Sequence, residues 1–97
     1  MSSKVTVNFD TIMVIIEGNM DQLESESTAS EITSRLSPHV KNISIDFSGI
    51  DHISSYGVFT LTTLKEKVMK LNGDFKILNC PENIKQMLSL LNFTDNT

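Results

Sequence analysis

The chain has 97 residues, 39% hydrophobic and 21% charged, enough for a single domain with one core. Its net charge of −4, with eight Lys and Arg scattered along it, excludes the clustered basic footprint that nucleic acid or an anionic membrane surface requires. The lone cysteine, Cys80, permits no internal disulfide, the N-terminus has no signal-peptide block, and the longest apolar run, residues 12–16, is too short to cross a bilayer. The expectation is a cytoplasmic single domain spanning 1–97, with its core in about 4–93 and a frayed tail at 94–97.

The predicted elements run as follows. In "KVTVNF" the alternation sets Val5, Val7 and Phe9 on one face of a strand. "TIMVIIEG" follows a turn near Asp10 and closes at Gly18, and its apolar run makes it a central strand. "NMDQLESESTAS" breaks the pattern. A helix is expected from Thr28, whose spacing to Glu31 fits a capping box; it carries Ala29, Ile32 and Leu36 on one face and stops at Pro38. "NISIDFSG" is a strand with Ile43, Ile45 and Phe47 inward, followed by a loop. The next helix has Val58, Leu61, Leu64, Val68 and Leu71 on one stripe, three lysines near its end and Asn72-Gly73 as its stop. "DFKILNC" is a strand with Phe75, Ile77 and Asn79 on one side, and Cys80 reads as a small core residue at its end. Pro81 opens a last helix with Ile84, Met87, Leu88 and Leu91 on one face. The order β-β-α-β-α-β-α predicts an α/β fold with a mixed, mainly parallel four-stranded sheet.

Enzyme chemistry finds little support. Ser55 has His52 three residues upstream, but Ile53 stands where a nucleophile elbow has glycine. His39, His52 and Cys80 show no metal-ligand spacing, and Asp10, Asp21, Asp46 and Asp51 match no calcium loop. No glycine-rich phosphate loop is present, so neither metal nor cofactor is expected. Two serines at the start of the 58–71 helix remain. One hydroxyl caps the helix, a role that suits Ser54. The second, Ser55, lies where unpaired N–H groups and the positive helix end favour an added anion, and a phosphate there would bring about −1.5 to −2 charges.

The element order, the segment Gly18-Asn19-Met20-Asp21 and the stretch "IDFSGIDHISSYGVFTL" together resemble STAS domains of the anti-sigma-factor-antagonist type, over about residues 4 to 93. In that comparison Ser54 falls on the family's usual Asp, Ser55 on the phosphorylated serine, Tyr56 on a small residue and Gly57 on the glycine. The resemblance implies a switch without catalysis of its own. The unphosphorylated form binds a GHKL-type serine kinase, often an anti-sigma factor, and frees its target. The kinase phosphorylates Ser55, with Ser54 as the alternative acceptor, and a PP2C-type phosphatase reverses it. Asp21, Met20, Ser54, Tyr56, Gly57 and Phe59 would form the docking surface, although Phe59 is equally a second edge of the core. The regulated output is a sigma factor, biofilm formation or secretion, and the protein is expected to be a monomer. The alternative is a constitutive scaffold or subunit, as in lipid-transport, anion-transporter or stress-sensing assemblies.

Overall fold

The computed structural model describes residues 2–91 and 93. Its elements are β1 (Ser2–Asn8), β2 (Thr11–Met20), α1 (Gln22–Arg35), β3 (Asn42–Ile53), α2 (Ser55–Lys70), β4 (Phe75–Leu78) and α3 (Glu82–Leu90). The predicted order and mixed sheet are found: the strands lie side by side as β1-β2-β3-β4. β1 pairs antiparallel with β2, and β3 pairs parallel with both β2 and β4.

One face of the sheet carries the core. Ile12, Val14 and Ile16 of β2, Ile43, Ile45 and Phe47 of β3 and Phe75 of β4 are all buried. They meet Ile32 of α1, the predicted stripe Val58, Leu61, Leu64 and Val68 of α2, and Ile84 and Leu88 of α3. Phe93 closes the far end edge-on to Phe75, ring centroids 6.1 Å apart. Cys80 is half-buried and packs against this cluster. Leu91 departs from the expected α3 face and is exposed, and Pro81 is the N-cap residue of α3 rather than part of its first turn. α2 ends as the sequence indicates, but the left-handed residue is Asn72 (φ 61°), while the Gly73 N–H donates to the Val68 carbonyl at 2.9 Å.

Several elements differ from the sequence expectation. Phe9 is not an inward strand residue. It occupies the two-residue β1–β2 turn at φ 58° and is 92% exposed. α1 begins at Gln22, not Thr28. Its N-cap is Asp21, whose Oδ1 accepts the Glu24 N–H at 3.1 Å. Thr28 instead lies buried in mid-helix and donates to Ser3 Oγ. β2 runs on past Gly18 to Met20, and β3 continues through the predicted loop to Ile53. Asn79 lies beyond β4, and its Nδ2 donates to Asp46 Oδ1, as does the Ser48 N–H. These hydrogen bonds, the Ser48 one first, hold the Asp46 carboxyl below its ordinary range. The expected frayed tail, 94–97, lies outside the described residues.

The underside of α1 is unusual for a core-facing surface. Beside Ile32 it buries Ser25 and Thr28, and Ser25 Oγ has no hydrogen-bond partner among the described residues although the residue is fully buried. An unpaired buried hydroxyl opposes folding by about 1–3 kcal/mol, and alanine is a better helix former than serine. Ser25→Ala is therefore expected to raise the unfolding free energy by about 1 kcal/mol, seen as a higher urea midpoint with an unchanged slope.

Candidate functional site

The site grows from the way two parallel strands end together. β2 and β3 are register partners to their last residues, Met20 opposite Ile53. β3 spans the same pairing with 12 residues against 10 in β2, and the register shifts twice, after Ile15 and after Gly18. These bulges break the alternation beyond Phe47, yet they return Ile50 and Ile53 to the core. Each strand then passes directly into a capping residue, Asp21 for α1 and Ser54 for α2. Two helix N-termini thus start side by side at the carboxyl ends of adjacent parallel strands. Both direct unpaired N–H groups and a positive dipole end to the same rim.

Ser54 is the joint between the two strand ends. Its N–H and its Oγ–H both donate to the Met20 carbonyl, each at 3.1 Å, and its Oγ accepts the Gly57 N–H at 3.1 Å. The predicted capping role is therefore present, and the hydroxyl is occupied as donor and as acceptor. Ser55, the first residue of α2, is exposed, and its hydroxyl has no hydrogen-bond partner among the described residues. The two adjacent serines are chemically distinct. One is locked into the backbone; the other is free and faces solvent.

The remaining sequence candidates sort by burial. Met20 is 1% exposed and belongs to the core, so its side chain is not part of a docking surface as expected; its carbonyl holds Ser54. Gly57 is also buried. A Cβ there would lie 2.8 Å from Ile53 Cγ1 and 2.9 Å from the Met20 carbonyl oxygen, so the glycine permits the close approach of α2 to the strand ends rather than offering contact area. Asp21 is exposed, but one carboxylate oxygen is engaged in capping α1. Phe59 is 65% exposed, which removes the core-edge alternative.

Tyr56 is half-buried and folds across to α1, where its hydroxyl donates to Glu26 Oε1 at 2.9 Å. That hydrogen bond favours the protonated phenol and raises its pKa above the ordinary value of 10.0. The ring stands edge-on to Phe59, centroids 6.4 Å apart. Together these residues head a groove of about 520 Å³ between α1 and α2, with Ala29 and Leu64 along it and Lys67 at its other end. Glu26 was not legible as a neighbour of the serines. It lies 30 positions from Tyr56, and nothing local signals the contact.

The STAS domain family profile matches residues 2–97. No curated protein sequence matches the chain significantly. Among solved structures the chain is similar to the anti-sigma factor antagonist SpoIIAA in its unphosphorylated form. The TM-score is 0.80 at 18% identity, over 92% of this chain and 83% of that one. The phosphorylated Bacillus SpoIIAA, termed a cell fate determinant, gives a TM-score of 0.77 at 18% identity over 99% and 92%. The murine Solute Carrier 26 family member A9 anion transporter gives 0.73 at 14% identity, over 86% of this chain but only 14% of the transporter. At such identities the likeness is one of fold. Among the described residues no helix is long and apolar enough to cross a membrane.

Proposed function

Because the chain belongs to the STAS domain family, we propose that it is a phosphorylation-controlled binding module of a partner-switching pathway, with Ser55 as the phosphoacceptor. Unphosphorylated, it binds a GHKL-type serine kinase, an anti-sigma factor or its equivalent, and frees that kinase's target. Phosphate on Ser55 ends the binding, and a PP2C-type phosphatase restores it. The module acts as a cytoplasmic monomer without catalysis of its own, and the output is a sigma factor or a process such as biofilm formation or secretion.

The observation that carries this reading is the contrast between the two serines. A kinase needs a hydroxyl that it can reach without dismantling the fold. Ser55 offers one; Ser54 has its hydroxyl committed to the Met20 carbonyl and the Gly57 N–H. The first turn of α2 contains no acidic residue, so an added anion meets the free N–H groups without an immediate carboxylate neighbour in that turn. The family likeness to a protein solved in both unphosphorylated and phosphorylated forms supports the same reading.

The test is phosphoryl transfer from ATP by the host's serine kinase, read by intact mass and site mapping. Wild type is expected to gain one phosphate on Ser55, Ser54→Ala to retain labelling at Ser55, and Ser55→Ala to gain none. Full labelling of Ser55→Ala would sink the assignment.

The likeness to the transporter's STAS region favours one second reading, a constitutive subunit in which the Ser-Ser pair only caps α2. A stable complex with an ATPase or transporter, isolated from the host at native mass and indifferent to phosphate, would support it.

A further inference from the structure

A protein that closes over Ser55 Oγ comes within reach of Phe59, four residues on and so on the same helix face, and of Tyr56 in the same first turn of α2. Tyr56 is a large ring in a defined position. Its phenol is tied to Glu26, and its edge meets Phe59, itself 65% exposed three residues on. A half-buried tyrosine against an exposed phenylalanine carries the features of an interface anchor, a large apolar area on side chains with few torsions. The tie restricts the ring and so lessens the rotational freedom that binding would otherwise have to freeze. Beside the rings lies negative charge. Glu26 Oε1 accepts from Tyr56 and, at 3.4 Å, from Gln22 Nε2, and its exposed carboxylate keeps a second oxygen.

Resting on the reading of Ser55 as the switch, we propose that Tyr56 and Phe59 are the anchor of its docking surface and that Glu26 holds the anchor in binding position. The occupant is the protein that closes over Ser55, presenting an apolar cleft for the two rings with an arginine or lysine beside it to face Glu26. The cation follows from charge complementarity: a carboxylate at the edge of a contact that excludes water is left unpaired unless the partner supplies the opposite charge. Phosphate on Ser55 would then act within a surface whose position is already fixed one residue away.

The experiment is calorimetric titration of the full unphosphorylated chain with the purified kinase that labels Ser55. Tyr56→Ala and Phe59→Ala are each expected to weaken binding about tenfold or more, the usual scale for truncating an aromatic anchor. Tyr56→Phe keeps the ring and loses the tie, so a loss of about threefold is expected from the freedom regained. Glu26→Gln keeps an acceptor for the phenol and removes the charge. It is expected to flatten the salt dependence of binding, which a purely structural role would leave unchanged. Tyr56 is the single tyrosine in a chain without tryptophan, so its fluorescence reports directly on the tie and should change when Glu26 is replaced and when the kinase binds. Affinities of Tyr56→Ala and Phe59→Ala within twofold of wild type, with Ser55→Asp still blocking binding, would overturn the anchor and leave the switch standing. Binding unaffected by Ser55→Asp but lost in Tyr56→Ala would overturn the switch and keep the surface. Self-association that vanishes in Phe59→Ala, without any effect on kinase binding, would assign the rings to a second copy and overturn the proposal. A host in which no kinase labels Ser55 removes both readings.

Discussion

Ser55→Asp is expected to weaken binding to the cognate kinase by about a hundredfold or more while leaving the fold as stable as wild type or slightly more so. The two effects have opposite signs because the same position faces two environments. Within the free protein, position 55 begins α2, where the first N–H groups lack partners and the dipole end is positive. A carboxylate there contributes about 0.3–1 kcal/mol to stability. Within a complex, the carboxylate loses water, and a partner shaped to a neutral hydroxyl gives it nothing in return. The penalty of an uncompensated buried charge, typically about 2–5 kcal/mol, exceeds the helix gain and appears only on binding. Phosphate brings about −1.5 to −2 charges and so should act more strongly still. Calorimetric binding together with thermal unfolding tests both halves. Tight binding by Ser55→Asp would remove the electrostatic basis of the switch.

Gly57→Ala is expected to destabilise the protein by about 2 kcal/mol, although alanine is the better helix former. The propensity gain is at most about 1 kcal/mol and is smaller in a first turn. Against it stand two contacts below 3.0 Å, to Ile53 Cγ1 and to the Met20 carbonyl oxygen. Overpacking of this kind costs about 1–3 kcal/mol. The Met20 oxygen also accepts both Ser54 hydrogen bonds, so pushing it aside strains a cap worth about 1 kcal/mol. Ile53 has no exposed surface and little room to move. The measurement is urea and thermal unfolding, with a fall in melting temperature of roughly 10 °C for a domain of this size. A Gly57→Ala protein as stable as wild type would mean that the strand ends yield more easily than their packing implies.

How much of this was legible in the sequence depended on whether burial followed a regular period. β3 as far as Phe47 and α2 did, and their inward residues were readable one by one, whereas in β2 the continuous apolar run left the buried Ile12, Val14 and Ile16 indistinguishable from Met13 and Ile15. α1 did not, because its buried underside is Ser25 and Thr28 around a single isoleucine, with Ala29 half-buried beside them, and small polar residues leave no apolar signal. Asp21 and Glu24, which mark its true start, have the same capping spacing as Thr28 and Glu31 seven residues later. The end of β3 is not legible in the sequence because bulges disrupt a period of two. The reversal at Phe9 is hidden because the alternation continues into the turn. In the site, Ser54 as cap followed from position alone. The burial of Met20 and Gly57, and the reach of Tyr56 to Glu26, depend on tertiary packing that a local pattern does not encode.

The two additional residues in β3 also act as a measure of length. A strict ladder opposite β2 would end two residues sooner, and the chain would leave the sheet near Asp51. As built, the surplus is absorbed inside the strand, and its last inward residue, Ile53, is seated before the chain turns into α2. Ser54 then faces the backbone and Ser55 faces out. The phase of the helix against the sheet is therefore set upstream, by irregularities in a strand that touch neither serine. Which of two neighbouring hydroxyls is offered to a partner is decided by counting, several residues before either is reached.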